Sequence, residues 1–248
     1  MLSKARIKFI KSLQLKKYRK QEQCFVVEGR KSVQELLKSD FKIEQLLITQ
    51  EFEQENRSSF KAFKGEVVEV KSTELAGLGE YSTNDAALAI VCMKPNQAPV
   101  IKSEGFILML DDIRDPGNLG TILRTADWYG INSIIASEET AEVYNGKVIQ
   151  SSMGSFTRIN IFYTSLEQYL SSTDISVFGT FLDGQNAHEV NFGSTGIIVI
   201  GNEANGISKE VEKFVTKRIT IPRFGRAESL NAAIATAVIC DNIRRREG

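Results

Sequence analysis

Hydrophobic and polar positions divide the chain into two stretches of different rhythm. Over residues 1–94 helical and extended patterns alternate. A basic amphipathic start is followed by "SVQELLKS" (32–39), with the Ser-x-x-Glu spacing of a capping box, and then by "IEQLLIT" (43–49), "EVVEVK" (66–71) and "ALAIVCMK" (87–94) as short strands. This pattern predicts a small α/β unit. Residues 95–105 hold two of the four prolines and little apolar content, and are expected to form a linker.

From residue 106 to 248 the periods change regularly between strand and helix. Strand "FILMLDDI" leads to helix "NLGTILRTADWYG", strand "SIIAS", a polar connection, strand "RINIFY" and helix "SLEQYLSS". Strands "SVFGTFL" and "GIIVIG", helix "SKEVEKFV", strand "RITIPR" and a long closing helix complete the order. Apolar strands alternating with helices imply an α/β domain with a mostly parallel sheet covered on both faces. Ligands of such sheets bind beyond the carboxyl ends of the strands.

Three loops fall at those ends: "DDIRDPGNLGTILRTA", "GNEANGISKE" and "PRFGRAESLN". Each combines Gly, which admits close backbone approach, with Asn, Arg, Glu or Ser ahead of a helix start, so one composite site is a candidate. Helix capping accounts for the same residue types in any single loop. "GNEANGIS" has the glycine spacing of a phosphate-binding P-loop, but Ile207 stands where the lysine would be, and no G-x-G-x-x-G follows any strand.

Composition adds limits. With 248 residues, 42% hydrophobic and 25% charged, the chain reads as a soluble protein with room for one large or two small cores. No apolar run approaches the roughly 18 residues of a membrane span and no secretory core is evident, so a cytoplasmic location is expected. Net charge is zero but unevenly spread: residues 1–20 carry eight Lys or Arg and no acid, and residues 214–248 carry seven basic against three acidic residues. Either end could meet a polyanion or form a solvated helix face. Cys24, Cys92 and Cys240 stand far apart with no C-x-x-C pair, and His188 has no second histidine, so no metal site is expected.

Taken together, the three loops resemble the motifs of the SpoU (TrmH-like) RNA ribose methyltransferases of the SPOUT superfamily. The matching stretches are "DPGNLGTILRTA" (115–126), "IVIGNEANGIS" (198–208) and "IPRFGRAESLNAAIA" (221–235). In the front unit, "FVVEGRKSVQELL" (25–37) looks like the ribosomal-protein-like substrate-binding domain that many of these enzymes carry. The third motif departs from the family pattern at Arg223, where an apolar residue is usual, and Arg226 and Glu228 add further charge; this puts substrate preference in doubt.

The resemblance implies a deep trefoil knot in the C-terminal part of the sheet, an RNA-binding domain over 1–94 and a methyltransferase domain over 106–248. It implies S-adenosylmethionine as cofactor, held around Thr180, Gly201, Ile221 and Leu230, and methylation of a ribose 2′-hydroxyl in structured RNA, with ribosomal RNA favoured over tRNA. Arg124 takes the central role, either as base or as a clamp for phosphate and developing alkoxide; its guanidinium resists deprotonation, which favours the clamp. Asn118 would orient the segment bearing Arg124 or a substrate oxygen, and Glu203 would fix the second loop or bond the third. Ser229 and Asn231 would hold the 2′-hydroxyl or cap the closing helix. A homodimer sharing each site is implied, with neither membrane nor metal. The competing reading is a non-catalytic RNA-binding or ribosome-assembly protein that keeps the knotted fold.

Overall fold

The computed structural model describes residues 2–60, 63, 65–100 and 104–245. Residues 101–103 of the expected linker and 246–248 of the basic tail lie outside the described residues. The first elements are α1 (Lys4–Ser12), α2 (Lys16–Glu22), β1 (Cys24–Glu28), α3 (Arg30–Leu36), β2 (Ile43–Ile48), α4 (Gln50–Glu55), α5 (Arg57–Phe60), β3 (Glu66–Glu69), α6 (Ser72–Ala76) and β4 (Ala87–Cys92). There follow β5 (Gly105–Leu110), α7 (Pro116–Trp128), β6 (Ser133–Ala136), α8 (Gly146–Ser151), β7 (Asn160–Tyr163), α9 (Leu166–Ser171), β8 (Val177–Asn186), β9 (Thr195–Ile200), α10 (Lys209–Glu212), β10 (Lys217–Thr220) and α11 (Ala232–Arg244). Two compact units result: Met1–Pro95 with Tyr144–Thr157, and Asn96–Val143 with Arg158–Gly248.

In the first unit the sheet order is β1-β4-β2-β3. Strand β4 runs antiparallel to both β1 and β2, whereas β3 is parallel to β2. As an interior strand β4 is covered on both faces, and this is why "ALAIVC" is an unbroken apolar run. Ile10 and Leu13 pack against Leu47, Leu88 and Ile90, while Lys4, Lys8 and Lys11 face solvent, so the basic start is amphipathic. The expected capping box at Ser32 does not form. Helix α3 begins three residues earlier, behind Gly29, whose φ of 90° is open to glycine at little cost, and Ser32 is buried inside the helix.

The segment Tyr144–Thr157 lies between β6 and β7 in sequence but packs with the first unit. Tyr144 stacks on Phe25 with ring centroids 4.4 Å apart, and Phe156 lies 5.7 Å from Phe41. Its helix α8 starts at Asn145, whose side chain accepts the backbone N–H of Lys147 at 2.9 Å. With six residues it is too short to produce a periodic signal in the sequence.

The second unit holds a six-stranded sheet ordered β10-β8-β9-β5-β6-β7, with every neighbouring pair parallel. The central strands β5 and β9 are nearly continuous apolar runs, as burial on both faces demands. Strand β8 extends further than its apolar pattern, to Asn186. Against β10 its register jumps from Gly179, opposite Arg218, to Gln185, opposite Ile219, so residues 180–184 leave that ladder. This excursion forms one wall of the cleft described next.

Candidate functional site

Strands β5 and β9 are neighbours that end level, with Leu110 opposite Ile200, so the loops after them begin side by side. Two bonds fasten these loops. Buried Asp111 accepts the backbone N–H of Ser208 at 2.7 Å, and Asn202 donates its amide to the carbonyl of Asp112 at 2.8 Å. The second loop is closed on itself by reciprocal backbone bonds between Asn202 and Gly206, at 3.0 and 2.9 Å. Its limbs approach so closely that a Cβ at Gly201 would lie 2.3 Å from the carbonyl carbon of Gly206. Asp111, Asp112 and Asn202 carry no mark of this role in the sequence, although all three lie within or beside the three motifs.

A cleft of about 660 Å³ opens beside these loops. Thr180, Gly201, Ile221 and Leu230, the four positions expected to hold a cofactor, all line it, as do Glu203 and Ser229. The Thr180 hydroxyl is already engaged, donating to the carbonyl of Val199 at 2.9 Å. At another part of the lining Arg218 bonds Asp183 at 2.8 Å and Glu212 at 2.5 Å, with its guanidinium 3.6 Å from the centre of the Phe181 ring. The bond to Asp183 raises the proton affinity of Arg218, so its charge is held firmly. Phe181, Asp183, Glu212 and Arg218 carry no common signal in the sequence, because the pairing of β8 with β10, and not spacing along the chain, brings them to one wall.

The three loops meet through side chains. Asn231 donates its amide to Oδ1 of Asn118 at 2.9 Å, and Asn118 donates in turn to Oε1 of Glu203 at 2.5 Å. Asn231 is also the N-cap of α11, its Oδ1 accepting the backbone N–H groups of Ala233 and Ile234. Asp115 caps α7 through the backbone N–H of Asn118 at 2.8 Å. The chain Asn231–Asn118–Glu203 therefore runs in one donor-to-acceptor direction and ends on a carboxylate.

Ser229 does not cap the closing helix, because Asn231 occupies that place; Ser229 is exposed and makes no hydrogen bond among the described residues. Arg124 is not brought to the cleft. It is exposed on α7 beyond Asn118, with neither hydrogen bond nor ion pair among the described residues. His188 also lies outside the cleft lining, its Nδ1 2.9 Å from Oδ1 of Asn242 on α11. No helix among the described residues is long and apolar enough to cross a membrane.

Residues 105–241 match the SpoU rRNA Methylase family, and residues 4–89 match the MRM3-like substrate binding domain. The chain is 29% identical over 243 residues to the 23S rRNA (guanosine(2553)-2′-O)-methyltransferase RlmP of Bacillus subtilis, covering 96% of each chain. Among solved structures, a TrmH-family protein from Porphyromonas gingivalis superposes with a TM-score of 0.87 at 39% identity, over 99% of both chains. An AdoMet-bound rRNA methyltransferase from Sinorhizobium meliloti gives a TM-score of 0.88 at 29% identity, over 99% of this chain and 96% of that one.

Proposed function

The chain belongs to the SpoU rRNA methylase family, and from that membership we propose that it methylates a ribose 2′-hydroxyl of ribosomal RNA, using S-adenosylmethionine. The observation that carries this reading is the Asn231–Asn118–Glu203 chain, which ties the three motif loops together beside a cleft of cofactor size. Ribosomal RNA is favoured over tRNA because RlmP is named for 23S rRNA and the front unit matches a substrate-binding domain. In this reading residues 1–94 engage RNA and residues 106–248 carry the chemistry. The non-catalytic alternative has no feature in its favour.

The cleft suits S-adenosylmethionine. Its volume falls in the roughly 300–1,000 Å³ range of small-molecule sites. Ile221 and Leu230 offer apolar wall, the backbone at Gly201 is bare of side chain, and the carboxylates of Glu203 and Glu228 complement a cationic ligand. When bound, the cofactor supplies a methyl group on a sulfonium, activated for in-line displacement. Thr180, Gly201, Ile221 and Leu230 would hold it, while Asn118, Glu203 and Asn231 keep the loops in fixed relation. Ser229, with a free hydroxyl on the cleft wall, would bond the ribose. A guanidinium is a fork of donors with no acceptor, so the part of Arg124 is to clamp an RNA phosphate and stabilise the developing alkoxide.

We further propose a homodimer in which Arg124 of one copy serves the cleft of the other. Support comes from the position of Arg124 outside its own cleft and from two large apolar side chains at solvent, Trp128 on α7 (84% exposed) and Ile234 on α11 (52%). A trefoil knot in the C-terminal part of the sheet and a cytoplasmic location complete the reading.

The test is transfer of labelled methyl from S-adenosylmethionine into RNA from cells lacking the gene, followed by size fractionation and alkaline hydrolysis. Label in alkali-resistant dinucleotides of ribosomal RNA, lost with Arg124→Ala, is the expected result. Cofactor binding without label in free RNA or ribosomal precursor particles would return the non-catalytic reading.

A further inference from the structure

Three neighbouring strands of the first unit each deliver one potential metal ligand to a single place. Cys24 on β1 pairs directly with Cys92 on β4, and Glu44 on β2 approaches from the other side of β4. The backbone N–H of Met93 bonds the carbonyl of Gln23 at 2.8 Å, so Cys24 and Cys92 form a non-hydrogen-bonded antiparallel pair, the kind in which facing side chains come closest. Cys92 Sγ donates to Glu44 Oε1 at 3.4 Å, and the ligand atoms of all three residues lie within 4.8 Å of one another.

The position of Glu44 is itself unusual. Pairing of β2 with β4 shifts between Ile43 and Gln45, opposite Val91 and Ile90, so Glu44 is the extra residue of a bulge. Bulges re-aim a side chain at the cost of regular pairing, and this one accompanies the contact of Glu44 with Cys92. Chain spacing hides the cluster: Cys24 and Cys92 are brought together only by strand pairing, and Cys240 belongs to the other unit.

We infer that Cys24, Cys92 and Glu44 form a binding site for a zinc-class divalent cation. Tetrahedral zinc with sulfur ligands at about 2.3 Å and oxygen at about 2.1 Å sets S···O near 3.5 Å and S···S near 3.8 Å. The Cys92–Glu44 contact is already close to that length, and with all three ligand atoms within 4.8 Å of one another no separation has to close by more than about 1.3 Å. Glu44 is exposed and Cys92 half-buried, leaving the fourth position to solvent. Two soft sulfurs with one carboxylate suit zinc over magnesium or calcium.

Uptake of the cation has to displace both thiol protons: two Cys–SH and M²⁺ give (Cys–S)₂M and two H⁺, so binding is opposed at low pH and strengthens as pH rises. Closure of the same pair to a disulfide would instead need an external oxidant.

The test is titration of the reduced full-length protein with Co²⁺, a spectroscopic stand-in for Zn²⁺, without air. Sulfur-to-cobalt charge-transfer absorption saturating at one equivalent, displaced by Zn²⁺ and strengthening as pH rises, is expected. Glu44→Gln, at an exposed position, should weaken binding at least tenfold; Cys92→Ser should remove most of the absorption; Cys240→Ser should change nothing. Circular dichroism would establish that each variant is folded. Absence of the band, or a band that survives Cys92→Ser, overturns the site. So does a reduced protein that takes up no metal but forms a Cys24–Cys92 disulfide on exposure to a peroxide.

Discussion

Asn231 bonds Asn118 at 2.9 Å with its amide nitrogen while its amide oxygen caps α11. One side chain thereby couples the start of the closing helix to the first motif loop and, through Asn118, to Glu203 in the second. The two halves of the amide do different work and can be separated by mutation.

Asn231→Asp keeps the capping oxygen and removes the donor. Helix stability should hold within about 0.5 kcal/mol, since Asp and Asn are comparable caps, whereas methyl transfer should fall at least tenfold as the loops lose their tie. Thermal unfolding and turnover measured together check this. Unchanged turnover would reduce Asn231 to a cap.

Arg124→Ala tests the proposed division between a cofactor cleft and an RNA clamp. Arg124 is exposed and lines no part of the cleft, so stability should shift by no more than about 0.5 kcal/mol and S-adenosylmethionine affinity should stay within about twofold. Turnover should drop by roughly 10²-fold or more. Calorimetric titration of the cofactor beside a methyl-transfer assay separates the two effects; retained turnover removes Arg124 from the chemistry.

Gly201→Ala should damage the cleft itself. The added carbon would meet the Gly206–Ile207 backbone at 2.3–2.6 Å, and backbone cannot swing aside as a side chain can. Destabilisation of about 1–3 kcal/mol is expected, with cofactor affinity falling at least tenfold as the second loop opens. Near-normal affinity, measured by calorimetry, would mean that the loop limbs separate without consequence.

Cys240 sets a sign for stability at alkaline pH. Its thiol on α11 is fully buried, which pushes it from about 9 up to about 12. The folded chain therefore keeps this proton through a range in which the unfolded chain releases it. The contribution to stability is complete below about pH 9 and declines between about 9 and 12, by roughly 1.4 kcal/mol per pH unit at most. Cys240→Ala should lower stability at neutral pH but show a shallower alkaline decline than the parent. Parallel denaturant curves from pH 8 to 10.5 read the difference in slope.

The strands and long helices of the second unit were legible because residues such as Ile107, Leu108, Ile197 and Ile198 must be apolar on both faces of an interior strand. The three loops were legible as chemistry because Gly, Asn and Glu recur there without an apolar pattern to serve. What could not be read depended on distance in sequence. The bond of Asn118 to Glu203 spans 85 residues, and the wall made by Phe181, Asp183 and Arg218 exists only through the register jump of β8 against β10. Ser32 misled because a capping box is a local preference, and Gly29 offered an earlier start that burial of Ser32 and Val33 favoured.

The basic face of α1 gives a test of RNA contact that leaves the fold standing. Deleting residues 1–20 would remove Ile10 and Leu13, each 1% exposed and part of the first unit's core, so loss of RNA binding by such a truncation would report unfolding as readily as lost charge. Lys4, Lys8 and Lys11 project to solvent at helical spacing, and replacing all three with Gln keeps helix propensity while removing three charges. If this face meets phosphates, the slope of log affinity against log salt should flatten by about 2–3 units, since each lost contact removes roughly 0.7–0.9. Affinity for ribosomal RNA fragments measured across a salt series reads that slope. An unchanged slope with unchanged melting would assign the three lysines to solvation alone and leave RNA contact to other residues.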